Sequence, residues 1–211
     1  MKFKFSTILE YSPRGTSKTS EYSRKIVGSI KNVNVKIIRR ITEIIKTDPK
    51  ALPILKQLEM AVLVPVPRSE PLLPGALWPT KSICDIFIST GLGKQVVPMI
   101  KRAKKVPKSS LSYSGTQRPS VKTHLESFAI NTTGDLLIDL SKIVILDDVL
   151  TLGRTSVACA VFLKQHYPDS HITLLSLVRT RSLVNNIEKI RVINIQEANY
   201  NSASASVSLP D

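Results

Sequence analysis

Two adjacent carboxylates, Asp147 and Asp148, stand just before a short run that carries hydroxyls at Thr151, Thr155 and Ser156 and a glycine at Gly153. Hydroxyls and backbone N–H groups at the start of a helix can cradle a phosphate dianion. Gly153 lets the backbone come close to such a group and take unusual dihedrals. The two carboxylates cannot touch that phosphate without repulsion. They suit the vicinal hydroxyls of a sugar, which donate hydrogen bonds, or a Mg²⁺ that bridges to them. The chemistry these residues imply is recognition of a sugar phosphate.

The flanking sequence supplies the elements that would position them. Ile143, Val144, Ile145 and Leu146 read as a strand buried on both faces. Val157, Ala158, Ala160, Val161, Phe162 and Leu163 read as a helix packed on the sheet. Ligands of open α/β sheets bind outside the carboxyl ends of strands, which is where the acidic pair and the hydroxyl loop fall. A Walker-B-like strand is the rival reading, but the chain has no G-x-x-x-x-G-K-[ST] to accompany it. Further strands are expected at 60–66, 96–100, 172–178 and 190–195, with a short one over Lys2 to Ile8. Helices are expected around 21–46, where Ile37, Ile38, Ile41, Ile44 and Ile45 share one face. Others are expected from an Asp48 cap and Pro49 to about Glu59, over 79–90, and over 181–188. The fold class is α/β, a mainly parallel sheet flanked by helices.

Composition sets the outer bounds. The chain has 211 residues, 42% of them hydrophobic, enough for one ordinary domain with a real core. Its two cysteines, Cys84 and Cys159, lie in apolar helical patterns and read as buried free thiols of a cytoplasmic protein. No apolar run approaches the ~20 residues that span a bilayer, so no membrane partner is expected. The formal net charge of +14 is uneven: residues 1–50 hold 12 Lys/Arg against 4 Asp/Glu, and residues 101–125 hold 7 Lys/Arg and no acid. Such surfaces attract polyanions, either nucleic acid or small molecules rich in phosphate.

The stretch Ile-Val-Ile-Leu-Asp-Asp-Val-Leu-Thr-Leu-Gly-Arg-Thr at 143–155 resembles the phosphoribosyl-pyrophosphate (PRPP) signature of type I phosphoribosyltransferases. In that signature an apolar strand is followed by two acidic residues, two apolar residues and a Thr-Thr-Gly-small-Thr loop. Leu152 stands where the signature has a hydroxyl, and Arg154 where it has a small residue. Val-Leu-Val-Pro-Val-Pro-Arg at 62–68 resembles the first strand and following loop of ComF-like members, although their amino-terminal cysteine zinc module has no counterpart here. Those members also have a basic residue, a Gln and an Arg before a Phe-x-Val strand. Arg102, Gln117, Arg118 and Phe128-Ala129-Ile130 follow that order. The resemblance covers roughly residues 60–180.

This resemblance implies a phosphoribosyltransferase, an enzyme of the glycosyltransferase class, with Mg²⁺ as cofactor carried by PRPP. It implies Asp147 and Asp148 as catalytic residues on the ribose, and Thr151, Leu152, Gly153, Arg154, Thr155 and Ser156 as the PRPP loop. Arg68 and Ser69 would hold pyrophosphate. A flexible hood over 101–125 would bring Arg102, Lys104, Lys105, Gln117 and Arg118 to the leaving diphosphate; His124 beside it is read as structural. The implied division is a basic, mostly helical N-terminal extension (1–59), a phosphoribosyltransferase-like domain (60–196) and a mobile tail (197–211). The alternative function is a non-catalytic regulator on the same fold that senses PRPP or a nucleotide, or binds nucleic acid. A homodimer and a subunit of a larger complex are both compatible with the sequence.

Overall fold

A computed structural model of the chain describes residues 1–107, 118–131, 138–181 and 185–210. Its centre is a seven-stranded sheet in the order β3-β2-β6-β7-β1-β8-β9. The strands are β1 (Lys2–Tyr11), β2 (Val62–Pro65), β3 (Gln95–Val96), β6 (Lys142–Leu150), β7 (His171–Thr180), β8 (Arg191–Asn201) and β9 (Ser206–Ser208). From β3 to β1 every neighbouring pair is parallel; β8 and β9 add an antiparallel flank. This is the mainly parallel α/β architecture expected from the buried apolar runs. A separate two-stranded ribbon joins β4 (Ile100–Arg102) to β5 (Phe128–Ile130).

Alternation along the strands divides the core into two layers. Ile143 and Ile145 of β6 face one side with α6 (Arg154–His166) and Phe128, whereas Val144 and Leu146 face the other. That second side is covered by α1 (Lys18–Lys31), α2 (Val35–Thr47), α3 (Leu52–Leu58) and α4 (Pro79–Ser89). Helix α6 buries an unbroken run from Ser156 to Leu163 because small Ala158 and Ala160 let it lie close on the sheet. Each of its large apolar side chains contributes roughly 1.5–3 kcal/mol by leaving water. In α2 the isoleucine face is real: Ile38, Ile41 and Ile45 are buried.

Several local signals act as expected, and several boundaries differ. Asp48 caps the turn that begins at Pro49, its carboxylate accepting from the Lys50 N–H at 3.0 Å. The helix expected over 21–46 is two helices, broken where Val33 adopts a φ of 55° and Asn34 caps α2. The strand expected at 96–100 splits between β3 in the main sheet and β4 in the ribbon, because Pro98 has no N–H to continue a ladder. No helix forms over 185–190, and 182–184 lie outside the described residues.

The expected domain limits also change. Residues 1–59 are not an appendage, since β1 pairs with β7 on one side and β8 on the other, and Phe3 and Phe5 join the core. The stretch from 197 is not a loose tail among the described residues: it completes β8 and forms β9. Alternation of Ala198 and Tyr200 inward with Glu197 and Asn199 outward is what makes it a strand. Cys84 and Cys159 are both free and buried, and burial pushes both thiols up from their ordinary value. Among the described residues no helix is long and apolar enough to cross a membrane.

Candidate functional site

The parallel strands β6 and β7 end side by side, and the loop 151–153 leads from β6 into α6. Gly153 is the N-cap of α6, at a φ of 68°, and no side chain caps the helix there. The first turn of an α-helix has N–H groups without intrahelical partners, so this end presents donors and the positive end of a dipole. Around it lies a cleft of about 60 Å³ walled by Asp147, the 151–156 loop and Arg118. A cleft far smaller than the several hundred Å³ of a small-molecule pocket suits a single phosphate-sized group.

Asp147 faces α6. Its Oδ2 accepts from the Ser156 hydroxyl at 2.6 Å and its Oδ1 from the Asp148 N–H at 2.9 Å. Withdrawal from water, and then the charge of Asp148, hold its carboxyl well above the ordinary carboxylate range. Asp148 turns its Oδ1 to the Val149 N–H at 2.7 Å and does not wall the cleft. Thr151 shares a hydroxyl–hydroxyl bond of 3.0 Å with Thr180 at the end of β7. Arg154 donates to the Arg118 carbonyl at 2.9 Å, which ties the loop to a residue of the expected hood.

Of the residues the sequence nominated, Asp147, Thr151, Leu152, Gly153, Arg154, Thr155, Ser156 and Arg118 come together around this cleft. The others lie elsewhere or outside the described residues. Arg68 donates to the Leu77 carbonyl at 2.7 Å and pairs with Glu70 at 3.5 Å, while the Ser69 carbonyl accepts from the Val106 N–H. Neither Arg68 nor Ser69 walls the cleft. Lys105 pairs with Glu70 at 3.3 Å, and Lys104 is exposed on the turn after β4. Gln117 lies outside the described residues.

Arg102 is not a hood cation: it sits in β4, 5% exposed, with its guanidinium over the Phe128 ring. It donates to the Arg68 carbonyl at 2.9 Å, to the Ser127 hydroxyl, and to His124 Nδ1 at 3.4 Å. Its role is to bracket the loop after β2 against the ribbon.

His124, read from the sequence as structural, also reaches the candidate loop. It lies at the end of α5 (Val121–Leu125), 2% exposed, with Nε2 3.1 Å from the Thr155 hydroxyl. Burial, then the charges of Arg102 and Arg154, push its value down to about 4, so the ring is neutral near pH 7. Arginine can only donate, so Nδ1 is the acceptor and Nε2 carries the hydrogen. Nε2–H then donates to Thr155, and the Thr155 O–H is left to point at an acceptor beside the helix end. No local spacing announced this, because His124 and Thr155 are far apart in the chain. Two more residues reach the loop without a sequence signal. Leu209 lies where a Cβ on Gly153 would meet its Cδ1 at 3.1 Å, and Arg179 donates to the carbonyls of Thr151 and Pro210 at 3.4 and 3.2 Å. Thr180 alone was foreseeable, as the neighbour of β6 at the carboxyl end of the next strand.

Among the described residues no group of three or more His, Cys, Asp or Glu is arranged to hold a metal. The donor set fits Mg²⁺ only as an ion carried by a phosphate ligand and touched by one or two carboxylates.

No family model matches the chain, and no curated protein matches it. Among solved structures, the chain is similar to a Helicobacter pylori xanthine-guanine-hypoxanthine phosphoribosyltransferase, with 14% sequence identity, coverage of 85% of this chain and 84% of that one, and a TM-score of 0.33.

Proposed function

We propose that this chain binds the phosphate of PRPP on the 151–156 loop and acts as a phosphoribosyltransferase. It would move the phosphoribosyl group to or from a nitrogenous base, with diphosphate as the leaving group. One observation carries the reading: an α-helix end with no side-chain cap, set on a left-handed glycine, opens on a cleft ringed by Thr151, Thr155, Ser156 and Asp147. That is a donor-rich socket for a phosphate, with an acceptor beside it for sugar hydroxyls. The resemblance of 143–155 to the PRPP signature gives the sugar phosphate its identity.

In this reading the 5′-phosphate takes the N–H groups of the first turn and the Thr155 hydroxyl. Asp147 and Asp148 orient the ribose by accepting from its hydroxyls. The bond from the anomeric carbon to the diphosphate oxygen breaks with its electron pair on oxygen, and a ring nitrogen of the base forms the new bond. Mg²⁺, brought on the diphosphate, would offset the negative charge that gathers there. Arg118 is a basic side chain at the cleft from which further neutralisation can come.

Calorimetric titration of PRPP with Mg²⁺ into the wild type and into Asp147→Asn/Asp148→Asn tests this. Saturable binding in the wild type and its loss in the double variant are expected, with diphosphate release once a matching base is present. A folded wild type that ignores PRPP refutes it. A second reading, a PRPP- or nucleotide-sensing regulator without transfer, is favoured by a specific observation: Arg68 and Arg102, nominated for the diphosphate, are engaged with protein carbonyls and Glu70. PRPP binding without diphosphate release from any base would select it, and salt-sensitive binding of DNA or RNA alone would select nucleic acid as the ligand.

A further inference from the structure

A second cavity, of about 310 Å³, opens at the opposite end of the sheet, where the parallel strands begin. Lys142 and His171 are the first residues of β6 and β7, and Lys4 lies near the start of β1; all three line it, together with Lys56 of α3. No carboxylate lines it among the described residues. The nearest acid in register is Glu197, directly across from Lys4 on β8, and its carboxylate pairs with Lys2 at 3.5 Å.

The floor of this cavity is polar where α3 meets the sheet. Gln57 Nε2 donates to the Leu174 carbonyl at 3.2 Å and to Thr173 Oγ1 at 2.8 Å, and Gln57 Oε1 accepts from the Ser6 hydroxyl at 2.9 Å. A carbonyl can only accept, so the Leu174 bond fixes which way the amide faces. Thr173 must then be the acceptor in its bond to Gln57, which leaves the O–H of this cavity-lining residue available as a donor. Thr173 is 3% and Ser6 1% exposed, so this is an interior polar cluster and not surface decoration. Burying a polar group without a partner costs stability, so a ligand oxygen that accepted from the Thr173 hydroxyl, which lines the cavity, would be favoured.

The Lys142 ammonium donates to the carbonyls of Lys56 and Glu59 at 2.7 and 2.8 Å, which neutralises the carboxyl end of α3. An ammonium has three N–H donors, so one is left over. The cavity therefore offers the Thr173 O–H, the third Lys142 N–H and the ammonium groups of Lys4 and Lys56, with His171 at the rim. It is rich in donors, poor in acceptors and positive. Its size falls at the lower end of small-molecule pockets.

We infer that this amino-end cavity is a binding site for a small multivalent oxyanion of the diphosphate or nucleotide class, separate from the 151–156 loop. The inference does not depend on that loop being a phosphate site. Charge selects the ligand at the lysines, and the Thr173 hydroxyl places one of its oxygens.

The test is a titration of the full chain with inorganic pyrophosphate, without divalent cation, followed by two-dimensional amide NMR. Signals of Gln57, His171 and Thr173 report this site; those of Gly153 to Ser156 report the other. Saturable shifts of the first group are expected, with a midpoint raised roughly tenfold in Lys4→Ala/Lys56→Ala, the scale of two partly exposed charge contacts. Both substituted side chains are exposed, so the variant folds, and its unshifted core signals verify this. Absence of saturable shifts in the first group overturns the inference, as does an unchanged midpoint in the variant. Tighter action of a single-stranded oligonucleotide than of pyrophosphate on the same signals also overturns it, because the lysines would then serve a nucleic-acid surface.

Discussion

Acid should unfold this protein partly through one histidine. His124 is held neutral, with a value of about 4 against the ordinary 6.5, by burial first and then by Arg102 and Arg154. The unfolded chain takes up a proton near 6.5 and the folded chain does not. The group's contribution is therefore fully present above pH 6.5 and is lost as pH falls toward 4. At pH 4.5 the unfolded form is almost fully protonated at this ring and the folded form only about a quarter so, which corresponds to roughly 2.5 kcal/mol. Urea unfolding of wild type and His124→Gln at pH 7.5 and 4.5 isolates this contribution. Gln keeps a donor for Thr155 while removing the titration. Carboxylates titrate alike in both proteins, so the difference between their pH slopes belongs to His124. The wild type should lose about 2.5 kcal/mol more than the variant over this interval. Equal slopes refute the buried neutral ring, and with it the assignment of Nε2–H to Thr155.

Four other outcomes follow from the same geometry. Gly153→Ala should cost roughly 1–2 kcal/mol by thermal melting, since a left-handed φ disfavours a Cβ that would also press on Leu209 at 3.1 Å. Asp147→Asn should gain on the wild type in stability as pH rises above the ordinary carboxylate range. The raised value of Asp147 means that its contribution is present in acid and lost on ionisation, a decline that Asn lacks. Arg102→Met should lose about 3 kcal/mol or more in urea, because it leaves the Arg68 carbonyl and Ser127 without a donor in a buried place. Cys84 and Cys159 should react with a thiol reagent only as fast as the chain opens, since both are buried with thiols pushed up.

What the sequence made legible is what neighbouring residues decide. The run Ile143 to Leu146 is apolar on both faces because both faces are covered, and the structure places α6 on one and α1 to α4 on the other. The Asp48-Pro49 start, the α2 isoleucine face and the glycine before α6 are likewise local, and each stands where its type demands. The strand expected over Lys2 to Ile8 is present as part of β1, with Phe3 and Phe5 buried while Lys2 and Lys4 are exposed; what the sequence did not show is its central place in the sheet. That strand becomes central only through partners more than a hundred residues away in β7 and β8. The Asn- and Ser-rich end misled for a related reason, since from Glu197 to Asn201 β8 buries only alternate residues and there needs few apolar ones.

The same distinction governs the charges. The resemblance assigned Arg68, Arg102 and Arg118 to the diphosphate, but arginines near the loop act largely as ties between backbone segments. Arg68 holds the Leu77 carbonyl, Arg102 the Arg68 carbonyl, Arg154 the Arg118 carbonyl, and Arg179 the carbonyls of Thr151 and Pro210. A guanidinium's planar fork of donors suits that work better than an ammonium does. The consequence reaches the chemistry. Because Arg102 is fixed beside His124, its charge helps keep that ring neutral, and the neutral ring sets the direction of the Thr155 hydroxyl. A residue chosen from the sequence as a partner for diphosphate thus acts, through a histidine, on the orientation of a hydroxyl that lines the cleft. Net charge alone cannot show this, since it does not record which donors are already spent within the fold.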